Sequence, residues 1–357
     1  MKVLIDIGHP AHVHFFREPL ARLRAQHHEV LVTSRVKEMA VELLDALGVE
    51  HVTLSAQRGG ALALGRELLL RDARLLRVAR RFRPDVMAAI GGIFIAHVGA
   101  LTRIPSLVFY DTENARAQNA LTYPLAHRVI VPDCYQAWVP ARRTLRYRGY
   151  HELSYLQPDV FQPERAVAEA NGLASEGPTW LLRLVSWQAN HDLGETGWST
   201  RLLTDTVAAL SARGRVIISA EAALPPAFDA LRYRGDPALI HHLMAYCAGF
   251  IGESATMASE CAVLGVPAVY AARTGRGYTD EQQSRYALVK NVRTLSPAAI
   301  AEGVAWLLAQ DRASSQAARA RLLADCIDVP AFVTDCIRQV SPAPGRYERE
   351  GRRACAG

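Results

Sequence analysis

Glu260 lies four residues beyond Thr256 in the stretch Gly252-Glu253-Ser254-Ala255-Thr256-Met257-Ala258-Ser259-Glu260. Phe250-Ile251 precedes this stretch, and Gly265-Val266-Pro267 closes it before Ala268-Val269-Tyr270. The spacing predicts strand, tight turn, helix, turn, strand. Ser254 is placed to cap the helix, with the N–H groups of Ala255, Thr256 and Met257 bare at its end, a natural seat for phosphate. Thr256 and Glu260 share a helical face, so the carboxylate sits one turn deeper. There it can accept both hydroxyls of a ribose whose diphosphate rests on the turn above. Taken alone, the same pattern also fits an ordinary α/β unit with a polar cap.

Other clusters add chemistry. His9, His12 and His14 crowd the loop after the first apolar run, and an imidazole there can take a proton from a hydroxyl nucleophile. His12 is favoured as that base, with His9 and His14 beside it on the acceptor side. Asp111-Thr112-Glu113-Asn114 ends another strand. Its acids are candidates for catalysis or for holding an acceptor sugar, more than for holding Mg²⁺ or Mn²⁺, because no third carboxylate stands at a telling distance. Trp187, His191 and Asp192 form a mixed polar loop suited to recognition or to helix capping. Asp280, Gln282 and Gln283 offer paired donors and acceptors suited to sugar hydroxyls. Arg71, Arg74, Arg77 and Arg81 recur as a basic stripe. That stripe reads as a solvated face or, alternatively, as a contact with an anionic membrane surface.

These residues need strands to carry them to one edge. Lys2–Ile7 and Glu29–Thr33 are apolar runs separated by an amphipathic segment, the opening of a doubly wound sheet. Helix is expected over Val36–Leu47 and Gly65–Arg83. A further strand, Asp85–Ile90, runs into Gly91-Gly92, and the last strand of this half is expected at Arg128–Val131. Pro132 to Pro163 shows no long periodicity and is read as the connection. A second βα series has strands at Trp180–Val185, Arg215–Ser219, Gly249–Gly252 and Val266–Tyr270. Its helices fall near 200–212, 238–247, 254–264 and 297–309, with a final one after Pro330. The expected division is 1–155, 156–340 and a Pro/Gly/Arg-rich tail, 341–357, without order.

With 357 residues there is room for two cores, and half of the residues are apolar. No apolar run reaches the ~18 residues of a membrane span. A strand-like Val3-Leu4-Ile5 begins at once, which leaves no expected leader. The six cysteines lack CxxC spacing, so they are expected to be reduced thiols of a cytoplasmic protein. The net charge of +6 favours anionic ligands. Neither aromatic/basic interleaving nor a helix-turn-helix pattern supports nucleic acid as the partner.

Together these motifs resemble GT-B-type glycosyltransferases: the MurG group of N-acetylglucosaminyltransferases and, more narrowly, a bacterial and archaeal family of predicted GT-B enzymes. Ala11-His12-Val13 stands where the MurG group has Gly-Gly-His-Val. Gly91-Gly92 matches the pair after the strand that begins with Pro-Asp, and Glu113-Asn114 falls in the acceptor motif. Ser254, Ala255, Ser259 and Glu260 match the donor motif. Asp280, Gln282 and Gln283 match an Asp-x-Gln-Gln that contacts the donor sugar. Two stretches depart from the pattern: Trp187 to Asp192 replaces a Gly-rich loop, and Glu253 occupies the donor turn.

The resemblance implies two facing Rossmann-like domains with a cleft between them, and metal-independent transfer of a sugar, without a cofactor, from a UDP-sugar to a hydroxyl acceptor. The setting implied is the cytoplasm, with the inner membrane face reached peripherally. A non-hydrolysing UDP-sugar 2-epimerase is the alternative, with Asp111 and Glu113 as its carboxylates. A non-catalytic nucleotide-sugar-binding protein is the other.

Overall fold

A computed structural model describes residues 1–36, 39–56, 61–185 and 198–340, leaving aside the side chains of residues 56 and 61–67. The first half forms a parallel sheet of seven strands: β1 (Lys2–Ile7), β2 (Glu29–Val36), β3 (His51–Ala56), β4 (Val86–Ile90), β5 (Ser106–Phe109), β6 (Arg128–Pro132) and β7 (Thr144–Tyr147). Their order is β3-β2-β1-β4-β5-β6-β7. The second half forms a parallel sheet of five: β8 (Thr179–Leu184), β9 (Arg215–Ala220), β10 (Gly249–Gly252), β11 (Ala268–Ala271) and β12 (Val289–Val292). Their order is β12-β11-β10-β8-β9. The α/β architecture expected from the sequence is the one observed.

Alternation along β1 explains the layering. Val3, Ile5 and Ile7 join one core cluster, while Leu4 joins another with Leu75, Ile95 and Val108. A strand covered on both faces reads as a continuous apolar run, which is why β1 was visible in the sequence. Helices Pro10–Ala25, Ala40–Ala46 and Val329–Arg338 share the first face, and Ala61–Phe82, Ile93–Thr102 and Arg116–Thr122 pack side by side on the second. The first cluster continues into the other half through Leu181, Phe250 and Ala258, so the two sheets lean on common apolar packing.

Strand order fixes where a ligand can sit. The side on which successive strands are added switches between β1 and β4, and again between β8 and β10, while every strand stays parallel. At such switch points the loops after neighbouring strands diverge and leave a crevice at the carboxyl ends. The described residues concerned are Gly8-His9, Gly91-Gly92, Val185 and Glu253-Ser254.

Several expectations need correction. Val36 ends β2 and the helix is only Ala40–Ala46. Strands β7 and β12 and the helix Arg312–Asp325 were not expected. Arg71 does not belong to an exposed stripe: it is 2% exposed, and its Nη2 reaches both oxygens of Asp6 at 2.9 and 3.0 Å. Its guanidinium also lies 4.3 Å from the centre of the Phe94 ring. Arg74, Arg77 and Arg81 are exposed. Among the described residues no helix is long and apolar enough to cross a membrane. Trp187, His191, Asp192 and the tail 341–357 lie outside the described residues.

Candidate functional site

Helix Ala255–Leu264 starts where β10 ends, and its first turn is built as the sequence requires. Ser254 is the N-cap, its Oγ accepting from the Met257 N–H at 3.2 Å. The expected set of bare N–H groups therefore loses Met257 and keeps Ala255 and Thr256. Gly252 runs against β8 so tightly that a Cβ would stand 2.2 Å from the Arg183 carbonyl oxygen. Glu253 braces the same turn, its Oε2 accepting from Val185 N at 2.9 Å.

One turn down, Glu260 is 5% exposed. Its Oε1 accepts two bonds, from Tyr155 Oη at 2.8 Å and from His241 Nε2 at 2.9 Å. Burial pushes this carboxyl up, but the charge and hydrogen bond of His241 and the Tyr155 hydroxyl outweigh it. The net result is a carboxyl held below its ordinary range, ionised at neutral pH. Both Glu260 and the helix end face a cavity of about 860 Å³ between the two halves. Arg183, Arg232, Arg273 and Arg276 enter its lining on the second-half side, whereas Pro10, Ala11, Met39 and Leu43 give the first-half wall an apolar stretch. Arg183 is itself held by Glu221 at 2.6 Å and by Ser219 at 2.8 Å.

The three clustered histidines separate. His9 lines the cavity and caps its helix, Nδ1 accepting from Ala11 N at 3.2 Å. His14 also lines it, its ring 5.1 Å from that of His241 and 5.3 Å from that of Tyr155. Burial, then the neighbouring His241, lowers its pKa to about 3, so the ring is neutral. His12 is not in the lining. Its Nδ1 accepts from Gly8 N at 3.2 Å, so a neutral His12 carries its proton on Nε2.

Asp111 and Glu113 stop short of the cavity, although Thr112 between them reaches it. Asp111 Oδ2 pairs with His151 Nδ1 at 3.2 Å. Burial raises its carboxyl, but the charge and hydrogen bond of His151, with the Thr112 hydroxyl, bring it net below its usual range. Glu113 instead reaches across to the other half, where Oε1 accepts from Gly277 N at 2.9 Å. It thereby caps helix Gly277–Ser284, whose own N-cap residue, Arg276, supplies no side-chain bond. Gly91 and Gly92 form the left-handed turn after β4, with φ of +71° and +43°. Asn114 is exposed outside the lining.

The Asp280–Gln283 motif forms a helix, but its side chains are committed away from the cavity. Asp280 Oδ1 binds Arg293 and accepts from Asn291 Nδ2. Gln283 Oε1 accepts from Asn291 N at 2.6 Å. Gln282 is fully buried, its Nε2 donating to Ser259 Oγ at 2.8 Å. The loop before this helix supplies Arg273 and Arg276 to the cavity in its place, and the first turn of the helix adds Tyr278.

Sequence reasoning missed Tyr155 and His241. Their signal was indirect: an acidic residue on an otherwise apolar helix needs partners if it is buried. One further constellation misleads. Ser34 Oγ lies 2.9 Å from His51 Nδ1, and His51 Nε2 lies 3.3 Å from Asp45 Oδ1, the order of a hydrolase triad. Ser34 is fully buried and its hydroxyl also meets Thr53, so it is no nucleophile. Among the described residues no group of three or more His, Cys, Asp or Glu could hold a metal ion.

Two facing parallel sheets, with a capped helix end and a carboxylate at the cleft between them, define a GT-B-type fold. The chain belongs to the family described as a protein of unknown function (DUF354), whose model matches residues 1–275. No curated protein matches it. Among solved structures it is similar to a putative UDP-N-acetylglucosamine 2-epimerase from Listeria monocytogenes, with TM-score 0.66, 13% identity, and 95% of this chain and 96% of that one covered. It is similar to the UDP-GlcNAc 2-epimerase from Neisseria meningitidis bound to UDP-GlcNAc, with TM-score 0.63, 12% identity and coverages of 95% and 98%. It is also similar to the spinosyn rhamnosyltransferase SpnG, with TM-score 0.63, 14% identity and coverages of 95% and 100%. At these identities the likeness carries the fold.

Proposed function

We propose that the protein is a glycosyltransferase that moves a sugar from a nucleoside-diphosphate sugar, a UDP-sugar first among them, to a hydroxyl acceptor. Residues 156–340 hold the donor and residues 1–155 present the acceptor. The observation that carries this reading is Glu260: an ionised, buried carboxylate in the cavity lining, one turn below a helix end that keeps two N–H groups. Ribose hydroxyls would donate to the carboxylate while the diphosphate meets Ala255 and Thr256 N–H and the cavity arginines Arg273 and Arg276. The same positive groups would stabilise charge developing on the leaving diphosphate.

For the acceptor proton, a group held near pKa 3 such as His14 is a poor base at neutral pH. His12 remains the proposed base, acting when its Nδ1 exchanges the Gly8 N–H for the acceptor hydroxyl. For a peripheral membrane contact the exposed candidates are Arg74, Arg77 and Arg81 with Leu69 and Leu70, whereas Arg71 is buried against Asp6.

Titration calorimetry with UDP tests the donor site. Glu260→Gln is expected to weaken binding by about 1–3 kcal/mol, the scale of lost charge-assisted hydrogen bonds. An unchanged Kd in the folded variant rejects the assignment. Incubation with UDP-GlcNAc alone separates the chemistries: slow release of UDP supports transfer, whereas epimerised sugar with no acceptor present shows a 2-epimerase.

A further inference from the structure

Glu260 belongs to the second half, yet one of the two donors on its Oε1 comes from the first. Tyr155 sits in the short helix Leu153–Leu156, which packs on helix Pro10–Ala25 and is pinned there by Ser154 Oγ donating to the Phe15 carbonyl at 2.6 Å. Its ring is 2% exposed and lies 5.3 Å from the His14 ring, so it has little room to swing. His241 approaches the same carboxylate oxygen from helix Ile240–Tyr246 of the second half. With both donors on Oε1, the carboxylate plane is fixed, and Oε2 has no hydrogen-bond partner among the described residues.

We propose that Tyr155 is a positioning residue that aims the Glu260 carboxylate at the nucleotide, so that donor affinity is set from across the cleft by the acceptor-side half. The inference rests on the donor site proposed above. A carboxylate free to rotate would spend part of its time with neither oxygen aimed at the ribose. One clamped by a hydroxyl from the facing half is preorganised, and only while the halves keep their present separation. The groups that face Glu260 and shape its titration are His241, His14 and Tyr155, together with the buried Glu152.

Tyr155→Phe removes the hydroxyl and keeps the ring. The expected result with UDP is a Kd raised about tenfold at neutral pH. The fall in affinity on acidification should begin at higher pH, because Glu260 loses a donor that favours its ionised form. In a Glu260→Gln background the same substitution should change Kd less than about twofold, since the two residues act as one unit. If Tyr155→Phe does not purify, Tyr155→Leu removes the same hydroxyl, and the same shift of the acid limb is expected.

The proposal is overturned if Glu260→Gln weakens UDP binding while loss of the Tyr155 hydroxyl leaves both Kd and pH profile unchanged. It is equally overturned if Tyr155→Phe weakens binding by the same factor with and without Glu260. If Glu260→Gln itself has no effect, or the wild type does not bind UDP, the donor site falls and this inference falls with it.

Discussion

Arg71→Ala is expected to be among the most damaging single changes on helix Ala61–Phe82. The Arg71 guanidinium makes two bonds to Asp6 at 2.9 and 3.0 Å, and Asp6 has one other neighbour of note, the Thr33 hydroxyl at 2.8 Å. Asp6 is 4% exposed, so removing Arg71 strands a buried carboxylate in mid-sheet. Breaking one side of such a pair costs about 3–5 kcal/mol. With a urea dependence of about 3 kcal/mol per molar, the unfolding midpoint should fall by about 1 M or more. Arg77→Ala on an exposed turn of the same helix should stay within about 0.5 kcal/mol of wild type. Urea titration followed by circular dichroism reads both, and anionic vesicle sedimentation gives the contrast. A midpoint unchanged in Arg71→Ala, with vesicle binding lost, would refute the burial argument and return Arg71 to the surface.

Gly277→Ala should lower the melting temperature through overpacking worth about 1–3 kcal/mol, since its Cβ would stand 2.1 Å from the Cys134 carbonyl and 2.6 Å from Glu113 Oε1. Glu113→Ala, which removes only the cap from the facing half, should cost about 1 kcal/mol by the same thermal assay. For His14 the sign is set by a lowered native pKa: the unfolded chain takes a proton near 6.5, while the native ring resists until about 3. The unfolded state therefore binds more protons in that window, and stability falls as pH falls through it. Melting temperatures from about pH 7 to 5 should drop more steeply for wild type than for His14→Asn; parallel slopes would show that His14 titrates normally.

Much of the fold was legible because buried parallel strands write continuous apolar runs. β1 and β10 do so, and the strand–turn–helix around Ser254 was read down to its cap. The edge strands β7 and β12 do not, although the edge strand β9 does. β7 buries only Tyr147 and β12 buries only its two valines, so neither carries a run to find. Helix Arg312–Asp325 hides for a related reason: it presents Ser315, Ala318 and Leu322 to the core, a face made mostly of small residues. At the site, spacing placed Glu260 correctly one turn below the helix end. It could not say which way helix Gly277–Ser284 is rolled, and that roll takes Gln282 into the interior. Nor could it see that Glu113 serves the opposite half, because a cap supplied from 164 residues away leaves no local pattern.

The last described helix, Val329–Arg338, returns to the first half. Val329, Val333 and Ile337 are fully buried, Phe332 stacks 5.0 Å from Tyr147, and Gly149 would have no room for a Cβ beside Val329. During synthesis, then, the early sheet waits. Its strands can pair as they leave the ribosome, but the groove beside helix Pro10–Ala25 stays greasy and open until helix Val329–Arg338 arrives to fill it. A nascent chain stalled anywhere in the second half would carry that bare groove, a natural handle for a chaperone and for aggregation alike.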